Sequence, residues 1–252
     1  MTVHCPVNSC KSRREPLADY LSNRDFVSSS QLRRFDQSGR IAAQQPGAGV
    51  APGTVMGEAL HALVLEPEAF SRQYLVLANA ASDQHTRSEQ DLMQREWLDA
   101  WQWTALSGAR NALMACSQAP VSQWLSDGRK ELSIYWRDAT GAAWKARPDC
   151  FTGEIVLDLK TTSDCRPAAF SRTRERFGYD LQAAHYIDAV ARLTGNTPRF
   201  AFLAVELNAP HVVWVHELGS NEINVASARL GDLKRAYLDA GRCVDDTLVS
   251  PR

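Results

Sequence analysis

The feature that most narrows what this chain can be is a strand that carries charge. Residues 153–162 read GEIVLDLKTT, and their leucine and β-branched residues predict a buried strand. Asp158 and Lys160 interrupt it, and ionised groups in an apolar strand are costly unless something compensates them. Side chains alternate along a strand, so Val156, Asp158 and Lys160 share one face while Ile155, Leu157 and Leu159 share the other. Just upstream, Pro148-Asp149 precedes a Thr152-Gly153 turn, which folds the strand carrying Asp149 back toward Asp158. Two carboxylates pressed together repel unless a hard divalent cation lies between them. A lysine on the same face can then hold or deprotonate a water beside that metal. Metal-assisted phosphodiester hydrolysis needs this set: ligands, an activated water and positive charge for the transition state.

Around this strand, helical and extended patterns alternate. Residues 1–25 are polar and mixed and read as a poorly ordered segment, leaving 26–252 as a single domain. Ser28-Ser29-Ser30 opens a helix in QLRRF through a serine cap. A Gly/Pro loop over 44–53 leads into TVMGEALHALVLEPEAF, where Val55, Leu60, Leu63 and Val64 form a helical stripe that Pro67 ends. SRQYLVLAN reads as a short strand. From 86 to about 126 the pattern is helical, with Leu92, Trp97, Trp101 and Leu106 as apolar anchors; Trp97, Trp101 and Trp103 are assigned to the core, with a wedge for a DNA end from a helical arch as the alternative. Turn signals at Asp138–Gly141 and Thr152-Gly153 divide three antiparallel strands between Glu131 and Thr162. RPAAFSRTRERF reads as a basic loop and YDLQAAHYIDAVARLTG as a helix closed by Gly195. PRFAFLAVEL and HVVWVHEL are two further strands, and GSNEINVASARLGDLKRAYLDAG a last helix. This order predicts an α/β domain with a mixed central sheet flanked by helices.

Composition excludes little. With 252 residues, 44% hydrophobic and 23% charged, the chain can build an ordinary core without disulfide staples. Its six cysteines (Cys5, Cys10, Cys116, Cys150, Cys165, Cys243) are scattered, with no CxxC pair, and no secretory leader is legible. The expectation is reduced thiols in a cytoplasmic protein. No uninterrupted apolar run of about 18 residues suggests a membrane span. A net charge of −1 argues against a uniformly basic surface but leaves nucleic acid open, since local patches and bound metal govern its binding.

Pro148-Asp149 followed by Asp158-Leu159-Lys160 resembles the PD-(D/E)XK nuclease motif, and further features strengthen the match. GEALHALVLEP resembles the GxxxH helix of the RecB-like and RecE-like branch, with His61 as its histidine. YDLQAAHY places Gln182 and Tyr186 four apart on one helical face, like that branch's QxxxY motif. SSSQLRRF and LVLEPEAF resemble RecE-type exonuclease domains, and the likeness runs from about 28 to 240. It implies a restriction-endonuclease-like core in which His61, Asp149, Asp158 and the Leu159 carbonyl bind Mg²⁺, with Mn²⁺ as a substitute. Lys160 would orient or activate the attacking water, and Gln182 and Tyr186 would contact the DNA backbone and support the metal site. It further implies an exodeoxyribonuclease that digests one strand of linear duplex DNA from its 5′ end. The 3′ overhang would pass to a single-strand annealing protein, and the enzyme would form a homo-oligomeric ring, trimer or tetramer. The four-cysteine pattern of some RecB-like relatives is missing, so no iron–sulfur cluster is expected.

Blander readings stand beside these. Asp158 and Lys160 can form a structural ion pair, His61 can be a satisfied core histidine, and Gln182 and Tyr186 a surface pair. Arg166, Arg172, Arg174 and Arg176 can be a solvated loop, or with Thr161 a sleeve for phosphates. His185 lies off the Gln–Tyr face and is assigned to structure. Glu58, one turn before His61, is a candidate for a second metal. The alternatives are an endonuclease or helicase-associated nuclease of the same superfamily, or a non-catalytic DNA-binding module that kept the fold.

Overall fold

The computed structural model describes residues 8–39, 52–76 and 95–248. The Gly/Pro loop as far as 51, the ends of the strand and helix expected at 77–79 and 86–94, Leu92 and Cys5 lie outside these residues. The described chain begins with β1 (Cys10–Arg13), α1 (Leu17–Ser22), β2 (Val27–Ser28) and α2 (Ser29–Ser38). Next come α3 (Pro52–Leu65), α4 (Pro67–Gln73), β3 (Tyr74–Val76), β4 (Glu96–Leu98), α5 (Ala100–Met114) and α6 (Val121–Asp127). Strands β5 (Arg129–Lys130), β6 (Ser133–Arg137), β7 (Ala143–Ala146), β8 (Cys150–Phe151) and β9 (Ile155–Thr162) follow. The remainder is α7 (Pro167–Phe177), α8 (Tyr179–Thr194), β10 (Arg199–Glu206), β11 (Val213–Glu217) and α9 (Ser220–Leu248).

Two mixed sheets form the frame. One has the order β11-β10-β9-β8-β5, with β9 and β10 parallel and the other pairs antiparallel. The other is β1-β6-β7-β2, with β2 parallel to β7. The middle one of the three strands expected between Glu131 and Thr162 is in fact two pieces. Its first half, β7, pairs with β6, and its second half, β8, pairs with β9 in the other sheet. The break falls at Arg147–Asp149, where proline lacks the N–H a ladder needs.

The five-stranded sheet is covered on both faces, which is why β9 and β10 are apolar along most of their length. Val156, Phe200, Phe202 and Ala204 pack with Leu181, Ala184 and Ile187 of α8 and Leu230 and Leu233 of α9. Leu157, Leu159, Ala201 and Leu203 face Leu60 and Leu63 of α3 and Leu106 and Leu113 of α5. Strand β9 reaches its parallel neighbour β10 by a crossover through α7 and α8.

Several expectations need correction. The segment expected to be poorly ordered carries structure from residue 10 onward. β1 adds to the edge of β6, and Tyr20 is buried with Phe26 and Tyr135. The buried Lys145 anchors it, donating to the carbonyls of Tyr20 at 2.6 Å and Asn23 at 2.5 Å. Trp97 lies in β4, not in a helix, because Asp99 starts α5 by accepting from the Gln102 N–H at 2.7 Å. Trp97 and Trp101 are exposed, at 50% and 64%, and only Trp103 approaches the core, against Phe70. The basic loop is helix α7, with Pro167 in its first turn and Gly178 at its left-handed end. Cys10, Cys116, Cys150 and Cys165 are free thiols. Among the described residues no helix is long and apolar enough to cross a membrane.

Phe202 is fully buried between the rings of Phe170 and Phe200, at 5.6 and 4.9 Å. Phe202→Ala should therefore lower unfolding free energy by roughly 3–5 kcal/mol, read from urea titration, through lost burial and the cavity left behind.

Candidate active site and metal centre

The site forms where β8 gives out. Cys150 pairs with Leu157, and the Thr152 N–H bonds the Ile155 carbonyl, so hydrogen-bonded pairs recur every second residue. Continuing that register sets Pro148 opposite Leu159, and proline has no N–H to give the Leu159 carbonyl. Side chains take the vacant ladder positions. Asp149 Oδ2 accepts the Leu159 N–H at 2.7 Å, and His61 Nε2 lies 2.7 Å from the Leu159 carbonyl oxygen. His61 Nδ1 is 3.5 Å from Asp149 Oδ2, so the ring is clamped between two acceptors.

Helix α3 comes this close to β9 because Gly57 lies one turn before His61. A Cβ at Gly57 would sit 3.3 Å from Thr161 Oγ1. Thr161 thus lines the seat of α3. Glu58, on the same helix, is exposed and acts instead on Tyr74, whose phenol is pushed up to about 12 by burial, then by Glu96 and Glu58.

Asp158 is fully buried on the opposite face of β9, paired with the Lys160 ammonium and accepting from Gln182 Nε2 at 3.0 Å. The second Gln182 N–H goes to the Tyr186 hydroxyl at 2.9 Å, so one carboxamide holds both groups. Tyr186 is 7% exposed, and burial, followed by the charges of Asp158 and Asp149, pushes its phenol far up. It therefore remains an O–H donor. Burial opposes the charge on Lys160, but Asp158 and Asp149 outweigh it and raise its pKa. Lys160 Nζ also lies 4.9 Å from the centre of the Tyr179 ring. His185, on the same helix, is buried against Trp136 and bonded to the Lys145 carbonyl, away from this network.

One acid escaped the sequence reading. His61, Glu131 and Asp149 each offer a ligand atom within 4.8 Å of the others. The signal was available in the hairpin register: Ile134 faces Ala146, so three residues further on Glu131 faces Asp149, and its N–H bonds the Asp149 carbonyl at 3.0 Å. Arg147 Nε now holds Glu131 at 2.6 Å. Two carboxylates and an imidazole, with the Leu159 carbonyl adjacent, suit a divalent cation that accepts oxygen and nitrogen donors. Asp158 lies outside that group of three, on the lysine side of the strand.

The arginines of α7 divide. Arg166 pairs with Asp164 at 2.6 Å, and Arg174 is held by Asp180 and Glu222, each at 2.8 Å. Arg172 and Arg176 are exposed, the latter over the Phe177 ring.

Residues 28–240 match the family model of a PDDEXK-like domain of unknown function. Among solved structures, a crystal structure of a "putative exonuclease" from Eubacterium rectale aligns with a TM-score of 0.62. Its identity is 13%, over 90% of this chain and 88% of that one, a likeness of fold. No curated protein matches the sequence.

Crowding the two acids has a measurable consequence. Burial, with Asp149 adding and Arg147 opposing, pushes the Glu131 carboxyl up to about 8. Burial raises Asp149 to about 6, with His61 opposing and Asp158 adding. The folded protein thus keeps protons that the unfolded chain sheds in the ordinary carboxylate range, so stability falls as pH rises through this window. Without metal, the melting temperature should drop between about pH 5 and about pH 8. Glu131→Gln should flatten that drop in a thermal-shift series, and Mn²⁺ at the upper pH should reverse it, since metal binds the deprotonated acids. An equally steep drop in the variant would remove Glu131 from the account.

Proposed function

The chain belongs to the family of PDDEXK-like domains, and from that premise we propose that it is a divalent-metal-dependent exodeoxyribonuclease. It digests one strand of linear duplex DNA from the 5′ end and leaves 3′ overhangs for strand annealing. The observation that carries this reading is the convergence of Asp149, Asp158, Lys160, His61 and Glu131 at the end of β8, with Gln182 and Tyr186 behind them. The Eubacterium rectale structure, that of a "putative exonuclease", supports the nuclease part of this reading. The 5′ polarity, the trimeric or tetrameric ring and the annealing partner follow from the RecE-like resemblance, and a cytoplasmic location from the scattered cysteines.

His61, Glu131, Asp149 and the Leu159 carbonyl would hold the cation, with Asp158 alongside. Bound there, Mg²⁺ would supply Lewis-acid polarisation of the scissile phosphate; one imidazole among oxygen donors suits Mn²⁺ as well. Lys160, held protonated by its acids, donates to the attacking water and the phosphate, acting as a clamp for developing charge. Gln182 fixes the rotamer of Asp158 and accepts no proton itself. Because Gln182 donates to the Tyr186 oxygen, the phenolic proton is free to reach a phosphate oxygen. The water gives up a proton to solvent as its oxygen bonds to phosphorus, the bond to the 3′ oxygen breaks and that oxygen takes up a proton, leaving a 5′ phosphate on the shortened strand. The exposed Arg172 and Arg176, with Arg166 beside them, meet the backbone farther out.

The test is linear duplex DNA labelled at either end, beside a covalently closed circle, with Mg²⁺, Mn²⁺ or chelator. Metal-dependent loss of the 5′ label with the circle spared is the expected result. Lys160→Ala, with an unchanged melting temperature, should cut at least about a hundredfold more slowly. Cleavage of the circle would make the protein an endonuclease, and inertness of the folded wild type would make it a binding module.

A further inference from the structure

Arg33 is a cation at the edge of the site whose bonds, among the described residues, go to no acid. It lies on α2, partly buried, and its Nη1 donates to the Phe177 carbonyl at 3.2 Å. Its Nε is buried, and none of the described residues accepts from it. Arg166 and Arg174, by contrast, are matched with carboxylates. The Arg33 stem runs along the joint between α7 and α8. There Gly178, at φ +64°, carries no Cβ; one would lie 3.4 Å from Arg33 Cγ and Cδ. The guanidinium carbon is 5.7 Å from the centre of the Tyr179 ring, the same ring that lies 4.9 Å from Lys160 Nζ. Arg33 is near enough to act on Tyr186, where it opposes the burial that raises that phenol.

Two cations therefore share one aromatic ring, and one of them has spare donors. With Nη1 on the Phe177 carbonyl and Nε buried, the Nη2 end of the guanidinium is the part left to meet an oxygen of a phosphodiester. The two charges lie 5.7 and 4.9 Å from the Tyr179 ring centre, so an anion arriving near that ring is attracted by both. We propose that Arg33, seated on Tyr179, binds a DNA backbone phosphate adjoining the one that Lys160 and Tyr186 face. This rests on the nuclease reading for the position of the scissile phosphate, but its own readout is binding.

The experiment measures affinity of the full chain for fluorescent duplex DNA in chelator, where no cleavage occurs, across a series of KCl concentrations. Removing one phosphate contact lowers the slope of log affinity against log salt by about one. Arg33→Gln and Tyr179→Leu should both show that loss, whereas Arg33→Lys, which keeps the charge, and Tyr179→Phe, which keeps the ring, should retain most of the slope. In metal, Arg33→Gln should reduce kcat/KM about tenfold, the scale of one phosphate contact. A wild-type slope in Arg33→Gln overturns the inference; should that variant misfold, a wild-type slope in Tyr179→Leu does so instead. A lowered slope in a protein that never cuts DNA would sink the nuclease reading alone. Cleavage with an unmoved slope would sink this one alone, and a wild type that binds no DNA would sink both.

Discussion

An unfinished ladder holds the site together. Strand β9 presents the N–H and C=O of Leu159 toward a neighbour that has stopped, because Pro148 occupies the next hydrogen-bonded position and cannot donate. Buried backbone groups must find partners, so Asp149 takes the N–H and the imidazole of His61 comes to the carbonyl. The acid and the histidine are thus aligned by the sheet's own hydrogen-bond geometry and not by loop packing. Such a frame is stiff, and the carboxylates cannot relax apart as two acids on a flexible loop would.

The same proline break moves the chain from one sheet to the other. β7 continues the hairpin with β6, β8 joins β9, and the three residues between them deliver Arg147 and Asp149 to the seam. Glu131 comes to the same seam from the start of the hairpin. The electrostatic cost is visible in both acids, whose pKa values are pushed up to about 8 and about 6 mainly by burial. Arg147 offsets part of it for Glu131, and His61 and Lys160 do so for Asp149. A pair of acids held this way is poorly stable alone and well prepared for a cation.

Behind the seam, α8 does a second job. Its apolar residues close the core against Val156 and Phe202, while Gln182 and Tyr186, one turn apart, reach the only charged stretch of β9. The buried amide carries no charge, so it can bridge Asp158 and Tyr186 without adding to the repulsion. At the start of this helix Tyr179 lies beneath Lys160, and Gly178 allows α2 to bring Arg33 to the same ring.

Much of this was legible in the order of residues. Alternation along β9, the turn at Thr152-Gly153, and the four-residue spacing of Gln182 and Tyr186 are local properties, and local geometry alone brings those residues to their faces. Glu131 was legible too, because the hairpin register sets it opposite Asp149. Other features were harder to read locally. Helix α7 was hidden by its arginines although Pro167 and Gly178 marked its ends, and β1 was hidden by polar residues because the edge of β6 supplies what makes it a strand. The exposure of Trp97 and Trp101 depends on which neighbours cover them. By itself the sequence determined the charged strand, the proline before its partner acid, and the histidine and Gln–Tyr helices, since each follows from the period of one element. Only the tertiary structure decided that the middle strand divides between two sheets, which acid stands beside His61, and which arginines are already matched. Those outcomes depend on desolvation and on contacts between segments far apart in the chain, and no short-range pattern encodes them.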